Sequence, residues 1–550
     1  MRLTDTSDLW WKNAVVYCLD VKRYCDSDGD GWGDFRGLTS KVDYLADLGV
    51  TCLWLMPFFP SPLQDDGYDI SDYYTVDPRL GTLGDLVDFL RTAHDRGLRV
   101  IADLVPNHTS VAHTWFQEAR KGPESPYHHW YVWNDDPPPT APSDVAFPGD
   151  ETSIWEYDEV AKSHYLHRFY HFQPDLDISH IDVRDELARI AGFWSELGID
   201  GFRMDAVPAL LQSDDDAEKA RLPDPHEFLR DLHGYLGRRR GNAFLLGEAN
   251  LPHDQQRLFF GVDGAPELSS SFDFITMANL WLSMARGAAG PLAHALENRP
   301  AIPPESQWAT FVRNHDELTL DRLTDGERDE VFAAFGPSKR MQVYDRGLRR
   351  RLAAMLDGDQ DRIRLVLSLL FSLPGTPVIF YGDEIGMGEN LGAKGRLAVR
   401  TPMQWTGARN GGFSTAPARS LISPMVRGDL GPTYVNVEDQ RPDPESLHAF
   451  VRSLIRVYRE CPELGWGQFS LLSCDTPSVL AHQVAWEEKT LVVLHNLADQ
   501  PVRATAQLAS GRGPVELVEP LGSRTATADR DGRLTVPLDR YGSCWLRPRG

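Results

Sequence analysis

An acid follows an apolar, strand-like run at three widely separated points of the chain. The acids are Asp205, Glu248 and Asp316, and the segments just before them read GFRM, LLG and VRNH. A carboxylate at the end of a buried strand loses hydration, which opposes its charge unless the group has a use. In a (β/α)8 barrel, the ends of several strands together build one catalytic site. The pattern therefore predicts such a barrel, with acids gathered where its strands end.

Eight short apolar runs alternate with amphipathic stretches along the first 460 or so residues, as expected for parallel strands joined by helices. This alternation favours a closed parallel barrel. We expect its strands at residues 14–20, 51–57, 99–105, 198–206, 243–250, 272–277, 308–316 and 376–384.

The predicted fold class is α/β: a (β/α)8 TIM barrel with an inserted subdomain after strand 3 and a C-terminal antiparallel β-sandwich. The barrel takes residues 1–106 and 181–461. Residues 107–180 are rich in Pro, Trp, Tyr and His and are too long for a structureless loop, so we expect inserted subdomain B there. In residues 462–550, short alternating runs with Gly and Asp turns predict the sandwich.

Charge and composition limit the classes of binding partner and the cellular compartment that we expect. A formal net charge of −24 argues against a nucleic acid or an anionic membrane surface. No apolar run reaches the roughly 18 residues that a membrane-spanning helix needs. The six cysteines lack C-x-x-C spacing and the first residues do not resemble a signal peptide, so we expect reduced thiols and a cytoplasmic location. Whether the protein forms a homo-oligomer stays open.

Near the N-terminus, the segment DSDGDGWGD alternates acids with glycines. Oxygens at every second position, with glycines that permit a tight turn, are typical of a loop that wraps one Ca²⁺. Mg²⁺ fits the ligand chemistry but gives up its water reluctantly. The alternative is a solvated acidic turn. The expected ligands of this structural ion are Asp26, Asp28, Asp30, Asp34 and the backbone carbonyl of Trp32.

Two carboxyl groups at neighbouring strand ends have the chemistry to cleave a glycosidic bond. One acts as nucleophile and the other protonates the leaving oxygen, with the two about 5–5.5 Å apart when configuration is retained. Asp205 is the better nucleophile, because Arg203 lies on the same strand face and keeps it ionised. Glu248 has a more apolar context that suits a proton donor. For any one acid alone, a helix N-cap or a surface ion pair is the alternative.

Ordered motifs resemble a known family. The segments DLVPNH at 103–108, GFRMD at 201–205, Glu248, and NHD at 314–316 resemble the four hallmark regions of the α-amylase superfamily of glycoside hydrolases. Further segments, such as DDGYD at 65–69 and VRTPMQW at 399–405, resemble the trehalose synthases (maltose α-D-glucosyltransferases) and related α-glucosidases within it.

The resemblance implies a retaining α-glucosyl transferase or isomerase that acts on small α-glucosides such as maltose or trehalose through a covalent glucosyl-enzyme intermediate. An exo-acting α-glucosidase is the alternative, because the same intermediate serves both. A catalytically silent sugar-binding protein is a third reading, but such relatives should have lost one of the acids. The implied catalytic residues are Asp205 (nucleophile), Glu248 (acid/base) and Asp316 (transition-state stabiliser). The implied glucosyl-binding residues are Asp65, Tyr68, His108, Arg203, His315 and Arg400.

The chain departs from the family pattern on the acceptor side. The usual QPDLN motif ends here in Asp177 instead of Asn. Residues 207–212 lack the Tyr and Glu that trehalose synthases bring to a second Ca²⁺, which disfavours such an ion at Asn107 and Asp175. The following acidic stretch, 213–222, also differs from the family. We therefore expect an intact glucosyl-donor side and an altered acceptor side.

Overall fold

The computed structural model describes residues 7–211, 224–262, 264–508 and 514–549. The acidic stretch 213–222 lies outside these residues. The chain divides into two compact units. Residues 19–42 and 52–272 belong to the first unit; residues 9–18, 43–51 and those from 273 onward belong to the second.

Eight strands form a closed barrel in the order β1-β8-β7-β6-β5-β4-β3-β2, which confirms the predicted fold class. Almost every strand residue is buried, as expected for strands covered on both faces. The strands are β1 Val16–Leu19, β2 Cys52–Leu55, β3 Arg99–Leu104, β4 Gly201–Met204, β5 Phe244–Gly247, β6 Ser270–Phe272, β7 Gln307–Phe311 and β8 Thr376–Phe380.

Helices follow the strands, as the amphipathic stretches predicted. Leu83–Asp95 begins with a capping box, in which Thr82 and Asp85 bond each other's backbone N–H groups. The other helices of eight or more residues are Ile181–Leu197, His226–Arg239, Phe274–Arg286, Gly290–Glu297, Asp325–Phe335, Gln360–Ser372 and Leu447–Glu460.

The sixth predicted strand was placed too far along the chain. We expected it at 272–277, but β6 ends at Phe272 and a helix runs from Phe274 to Arg286. Asp273 causes the change, because its carboxylate accepts a hydrogen bond from the backbone N–H of Thr276 at 2.9 Å and caps the helix. The apolar residues read as a strand are the buried face of that helix.

Between β3 and β4, the chain forms the helix Thr114–Ala119 and a small antiparallel sheet. The strands of this sheet are Trp133–Asn134, Trp155–Asp158 and Ser163–Leu166, with the last in the middle. Aromatic rings pack beside it; Phe116 and Trp133, for example, stack with ring centres 5.7 Å apart. These contacts explain how so long a segment is ordered.

The C-terminal strands form one antiparallel sheet of eight. Several strands of the sheet contribute to one buried apolar cluster that includes Leu494, Leu517 and Leu538, so the sheet folds over a core. Its strands are Gln468–Leu471, Val479–Trp486, Lys489–Asn496, Val502–Gln507, Val515–Val518, Thr525–Ala528, Arg533–Leu538 and Ser543–Pro548. Among the described helices, none is long and apolar enough to cross a membrane.

Candidate active site

Arg203 organises the acids of the first unit. It is the third residue of β4, its side chain is fully buried, and its guanidinium contacts three carboxylates. Nη1 lies 2.5 Å from Oδ1 of Asp103 and 2.6 Å from Oδ1 of Asp205, and Nη2 lies 2.6 Å from Oε2 of Glu248. The contact with Asp205 was expected from the two-residue spacing on one strand face. One planar guanidinium thus brings the acids that follow β4 and β5 together.

A strained turn follows Asp205. Ala206 has φ of +47°, a left-handed conformation that residues with a side chain rarely adopt. Its backbone N–H lies 3.3 Å from Oε2 of Glu248, and the N–H of Val207 donates to the carbonyl of Glu248. The turn therefore fastens the backbone after β4 to the residue after β5. Strain of this kind often occurs at functional sites.

The sequence identifies Asp103 only as part of a motif, and the structure places it among the site's acids. Asp103 is fully buried. Besides its contact with Arg203, it accepts hydrogen bonds from Trp54 Nε1 at 2.9 Å and from the Tyr68 hydroxyl at 3.3 Å. Burial raises the pKa of Asp103 to about 6, against the opposing effect of Arg203. The hydroxyl of Tyr68 is thereby fixed, and its ring faces the guanidinium of Arg203 at 5.8 Å.

His108 and Asp65 lie in the same unit. Burial lowers the pKa of His108 to about 3, so the imidazole is neutral at neutral pH. Its Nε2 has no hydrogen-bond partner within the described part of the chain, which leaves it able to bond a ligand. Asp65 accepts a hydrogen bond at 3.0 Å from Gln173, a fully buried residue that was not predicted to belong to the site.

Asp316, in the second unit, is held by cations. Its Oδ1 lies 2.7 Å from Nη1 of Arg396 and 2.8 Å from Nη2 of Arg400. Its Oδ2 lies 3.2 Å from Nε2 of His315, which is fully buried. Arg400 also donates from Nε to the carbonyl of His315 at 3.0 Å, so it braces the backbone as well. Arg396 was not predicted, because it belongs to no recognised motif.

A side-chain cation lies at the position where the sequence disfavours a second Ca²⁺. Asp175 is fully buried and accepts a hydrogen bond from Asn107 at 3.0 Å, while Nη1 of Arg168 lies 2.7 Å from its other oxygen. Burial raises the pKa of Asp175 to about 6, and Arg168 opposes the rise. Asp177, the residue that departs from the family motif, accepts a hydrogen bond from the N–H of Ser179 at 2.8 Å. Arg168 thus supplies a positive charge beside Asp175.

The acidic loop brings carboxylates together as a cation site requires. Side-chain oxygens of Asp26, Asp28 and Asp34 lie within 4.8 Å of one another, a group that does not include Asp30. Burial raises the pKa of Asp30, and the negative charges of the neighbouring acids raise it further. Gly29 and Gly31, with φ of +84° and +103°, allow the loop to turn. The donor set fits Ca²⁺, which prefers carboxylate and carbonyl oxygens.

Comparison with known proteins shows which family the chain resembles in sequence and in fold. The model described as "Alpha amylase, catalytic domain" matches residues 19–332 and 345–467. The chain is 42% identical over 516 residues to the trehalose synthase/amylase of Mycobacterium tuberculosis, covering 92% of this chain and 86% of that protein. It is 41% identical to the trehalose synthase of Pimelobacter sp., covering 98% and 96%. The crystal structure of a trehalulose synthase from Pseudomonas mesoacidophila superposes with a TM-score of 0.76 at 26% identity, covering 98% and 99%.

Proposed function

The chain belongs to the α-amylase family, and from that premise we propose a retaining α-glucosyl transferase or isomerase acting on small α-glucosides such as maltose or trehalose. The contact of one buried guanidinium with both Asp205 and Glu248 carries the proposal. It supports a pair of carboxyl groups that work on a single bond from two strand ends. The relatives named trehalose synthase support the choice of substrate.

In the first step, Asp205 attacks the anomeric carbon of the glucosyl unit. Glu248 gives its proton to the leaving glycosidic oxygen, so maltose yields a glucosyl ester of Asp205 and free glucose. In the second step, Glu248 removes a proton from an incoming hydroxyl, which displaces Asp205. If the anomeric hydroxyl of the released glucose attacks, the product is trehalose, and no atoms are gained or lost.

The binding residues divide by unit. In the first unit, Tyr68 offers a ring face to the sugar and neutral His108 offers Nε2. Asp65, held by Gln173, accepts hydrogen bonds from hydroxyl groups. In the second unit, Asp316, braced by Arg400 and His315, stabilises positive charge as the oxocarbenium-like transition state forms.

The proposal includes one structural Ca²⁺ in the loop 26–34, held by Asp26, Asp28 and Asp34 with Asp30 and the carbonyl of Trp32 completing the shell. The ion stabilises the loop and takes no part in the chemistry. The proposed location is the cytosol. The structure describes all six cysteines; none of them forms a disulfide and five are buried, which agrees with a reducing compartment.

An exo-acting α-glucosidase is the second candidate, favoured by the double name of the mycobacterial relative, trehalose synthase/amylase. The two functions differ only in whether water or a sugar hydroxyl meets the intermediate. Incubation with maltose, followed by ¹H NMR of the anomeric region, separates them. We expect trehalose as the main product. Glucose alone would assign the hydrolase, and no turnover of maltose, trehalose or sucrose would refute both.

A further inference from the structure

A groove of about 890 Å³ lies in the second unit, away from the residues assigned above. Its walls are the end of the helix Val42–Leu48 and the outer face of the helix Leu447–Glu460. The volume lies within the range of small-molecule sites. The residues that line it are 46–49, 441–444, 448, 449, 452, 453, 455, 456, 459 and 460.

Four of the lining side chains are arginines. Arg452, Arg456 and Arg459 are spaced by four and three residues along one helix and therefore share a face, and Arg441 joins them from the preceding loop. The whole chain has 56 Lys and Arg against 80 Asp and Glu. A cluster of four guanidinium groups is thus a local feature of an acidic protein and not part of a generally basic surface.

Acidic residues in the groove pair with only some of these arginines. Asp47 pairs with Arg441, and Glu460 lies 3.2 Å from Nη1 of Arg456. Both pairs are more than half exposed, so they hold the side chains weakly and a stronger anion can replace them. Arg459 donates to a backbone carbonyl, that of Gly49. In the described part of the chain, Arg452 has no ion-pair partner.

A buried histidine adds a further donor or acceptor. His448 lines the groove, is 3% exposed, and its Nε2 has no hydrogen-bond partner among the described residues. Burial lowers the pKa of His448 to about 4, and Arg452 and Arg441 act in the same direction. The imidazole is therefore neutral at neutral pH, and it lines the groove with a ring nitrogen that no described residue bonds.

The side chains that line the groove indicate which class of ligand it binds. Sugar rings are usually bound against aromatic faces, and His448 is the one aromatic ring among the described residues that line the groove. Guanidinium groups instead match the oxygens of phosphate with paired hydrogen bonds. The presence of Asp47, Asp443 and Glu460 disfavours a long polyanion, whose many phosphates would meet them.

The groove is separate from the proposed reaction site. The hydroxyl of Tyr458, next to Arg459, donates at 3.2 Å to the carbonyl of Gly375. Gly375 directly precedes β8, so the helix end lies at the amino end of that strand. Within this unit Asp316 follows the carboxyl end of β7, which is parallel to β8. The groove and Asp316 thus lie toward opposite ends of the strands.

We propose that this groove is a binding site for a small phosphorylated metabolite, with Arg452 and Arg456 as its main phosphate contacts and Arg441, Arg459 and His448 around them. The site is distinct from the glucosyl site, and its existence does not depend on the reaction proposed above. A sugar phosphate, a nucleotide and inorganic phosphate share the chemistry that the arginines recognise, so the test includes all three.

Isothermal titration calorimetry of the full chain tests the site with glucose 6-phosphate, ATP, inorganic phosphate and, as an uncharged control, glucose. Ionic strength is held constant, because screening weakens exposed charges. We expect a phosphorylated probe to bind with a submillimolar Kd and glucose not to bind in the groove. The probe that binds most tightly identifies which source of phosphate the site accepts.

Matched variants locate the binding. Arg452→Gln combined with Arg456→Gln should raise the Kd about tenfold or more, since two charge-assisted contacts are lost. The control, Arg419→Gln with Arg427→Gln, removes the same charge from exposed positions outside the groove and should leave the Kd within about twofold. Glu460→Gln should tighten binding, because it removes a competing acid.

Two outcomes of the binding measurements would overturn the proposal. No binding of any phosphate at millimolar concentration would refute it, as would equal losses in the groove and control variants. Thermal melting of each variant establishes that the fold is intact. Because Glu460→Gln changes binding in the opposite direction from the arginine variants, general destabilisation does not mimic the expected pattern.

Discussion

The Nη2 atom of Arg203 lies 2.6 Å from Oε2 of Glu248, although the two residues are 45 positions apart in the chain. The same guanidinium contacts Asp205 and Asp103, and none of its side chain is exposed. A single buried guanidinium therefore contacts the side chains of three acids. Substitution of Arg203 is therefore expected to affect stability as well as activity.

Arg203→Met should destabilise the protein and abolish turnover. The change leaves three acids near one another without their cation, and removing one partner of a buried ion pair costs about 3–5 kcal/mol. Urea unfolding gives the stability, and initial rates on maltose give kcat/KM. Arg203→Lys is the control: it keeps the charge but not the fork, so it should fold while activity falls. Wild-type stability for Arg203→Met would contradict the account.

Arg396 should support Asp316 in catalysis. Arg396 and Arg400 both reach Oδ1 of Asp316, but Arg400 also binds the backbone of His315. We expect Arg396→Gln to lower kcat about 10- to 100-fold with little change in KM, because a mispositioned Asp316 stabilises the transition state less. Arg400→Ala should mainly raise KM through weaker donor binding. If kcat and KM of Arg396→Gln equal those of the wild type, Arg400 alone is sufficient to position Asp316.

Stability should fall on the acid side of neutrality because several imidazoles are buried uncharged. Their folded pKa values lie below the usual 6.5, so from pH 6.5 downward the unfolded chain binds protons that the folded chain does not. The unfolding free energy then decreases by about 1.4 kcal/mol per pH unit for each such group until its folded pKa is reached. These groups are His108 and His113, with pKa about 3, and His448 and His482, with pKa about 4.

His482→Gln tests this dependence away from the proposed active site. Glutamine retains a donor for the carbonyl of Ser372, which His482 now meets at 3.1 Å. We measure the unfolding free energy in urea between pH 7 and 5. Below pH 6.5, its decline per pH unit should be smaller in the variant by about 1.4 kcal/mol, the contribution of one proton. An unchanged slope would mean that His482 does not titrate between the two states.

Removal of Ca²⁺ should lower the melting temperature before it affects the turnover of folded enzyme. At a hundredfold excess over its Kd, an ion that binds only the folded state stabilises it by about 2.7 kcal/mol. Differential scanning calorimetry with excess chelator, then with added Ca²⁺, measures the shift. Asp28→Asn should abolish the response, whereas Asp88→Asn, on an exposed helix face, should retain it. Melting that ignores both chelator and Ca²⁺ would contradict a structural ion.

The sequence sufficed for the barrel because its strands are apolar runs bounded by polar residues, and periodicity records burial directly. It failed at β6, where Asp273 caps a helix and the apolar run beyond it belongs to that helix. At the site, the contact of Arg203 with Asp205 followed from two-residue spacing, but its contact with Glu248 depends on how neighbouring strands align. Arg396 and Gln173 were missed for the same reason: their partners, Asp316 and Asp65, are distant in sequence.

The central claim is that Asp205 carries the glucosyl group, and it can be tested by trapping. In Glu248→Gln, α-glucosyl fluoride can still load the nucleophile, because fluoride leaves without a proton, whereas release lacks its base. Mass spectrometry of the acid-quenched protein should find one added glucosyl group, located on the peptide that contains Asp205. An adduct on another residue, or rapid turnover of the fluoride by Asp205→Ala, would contradict the account.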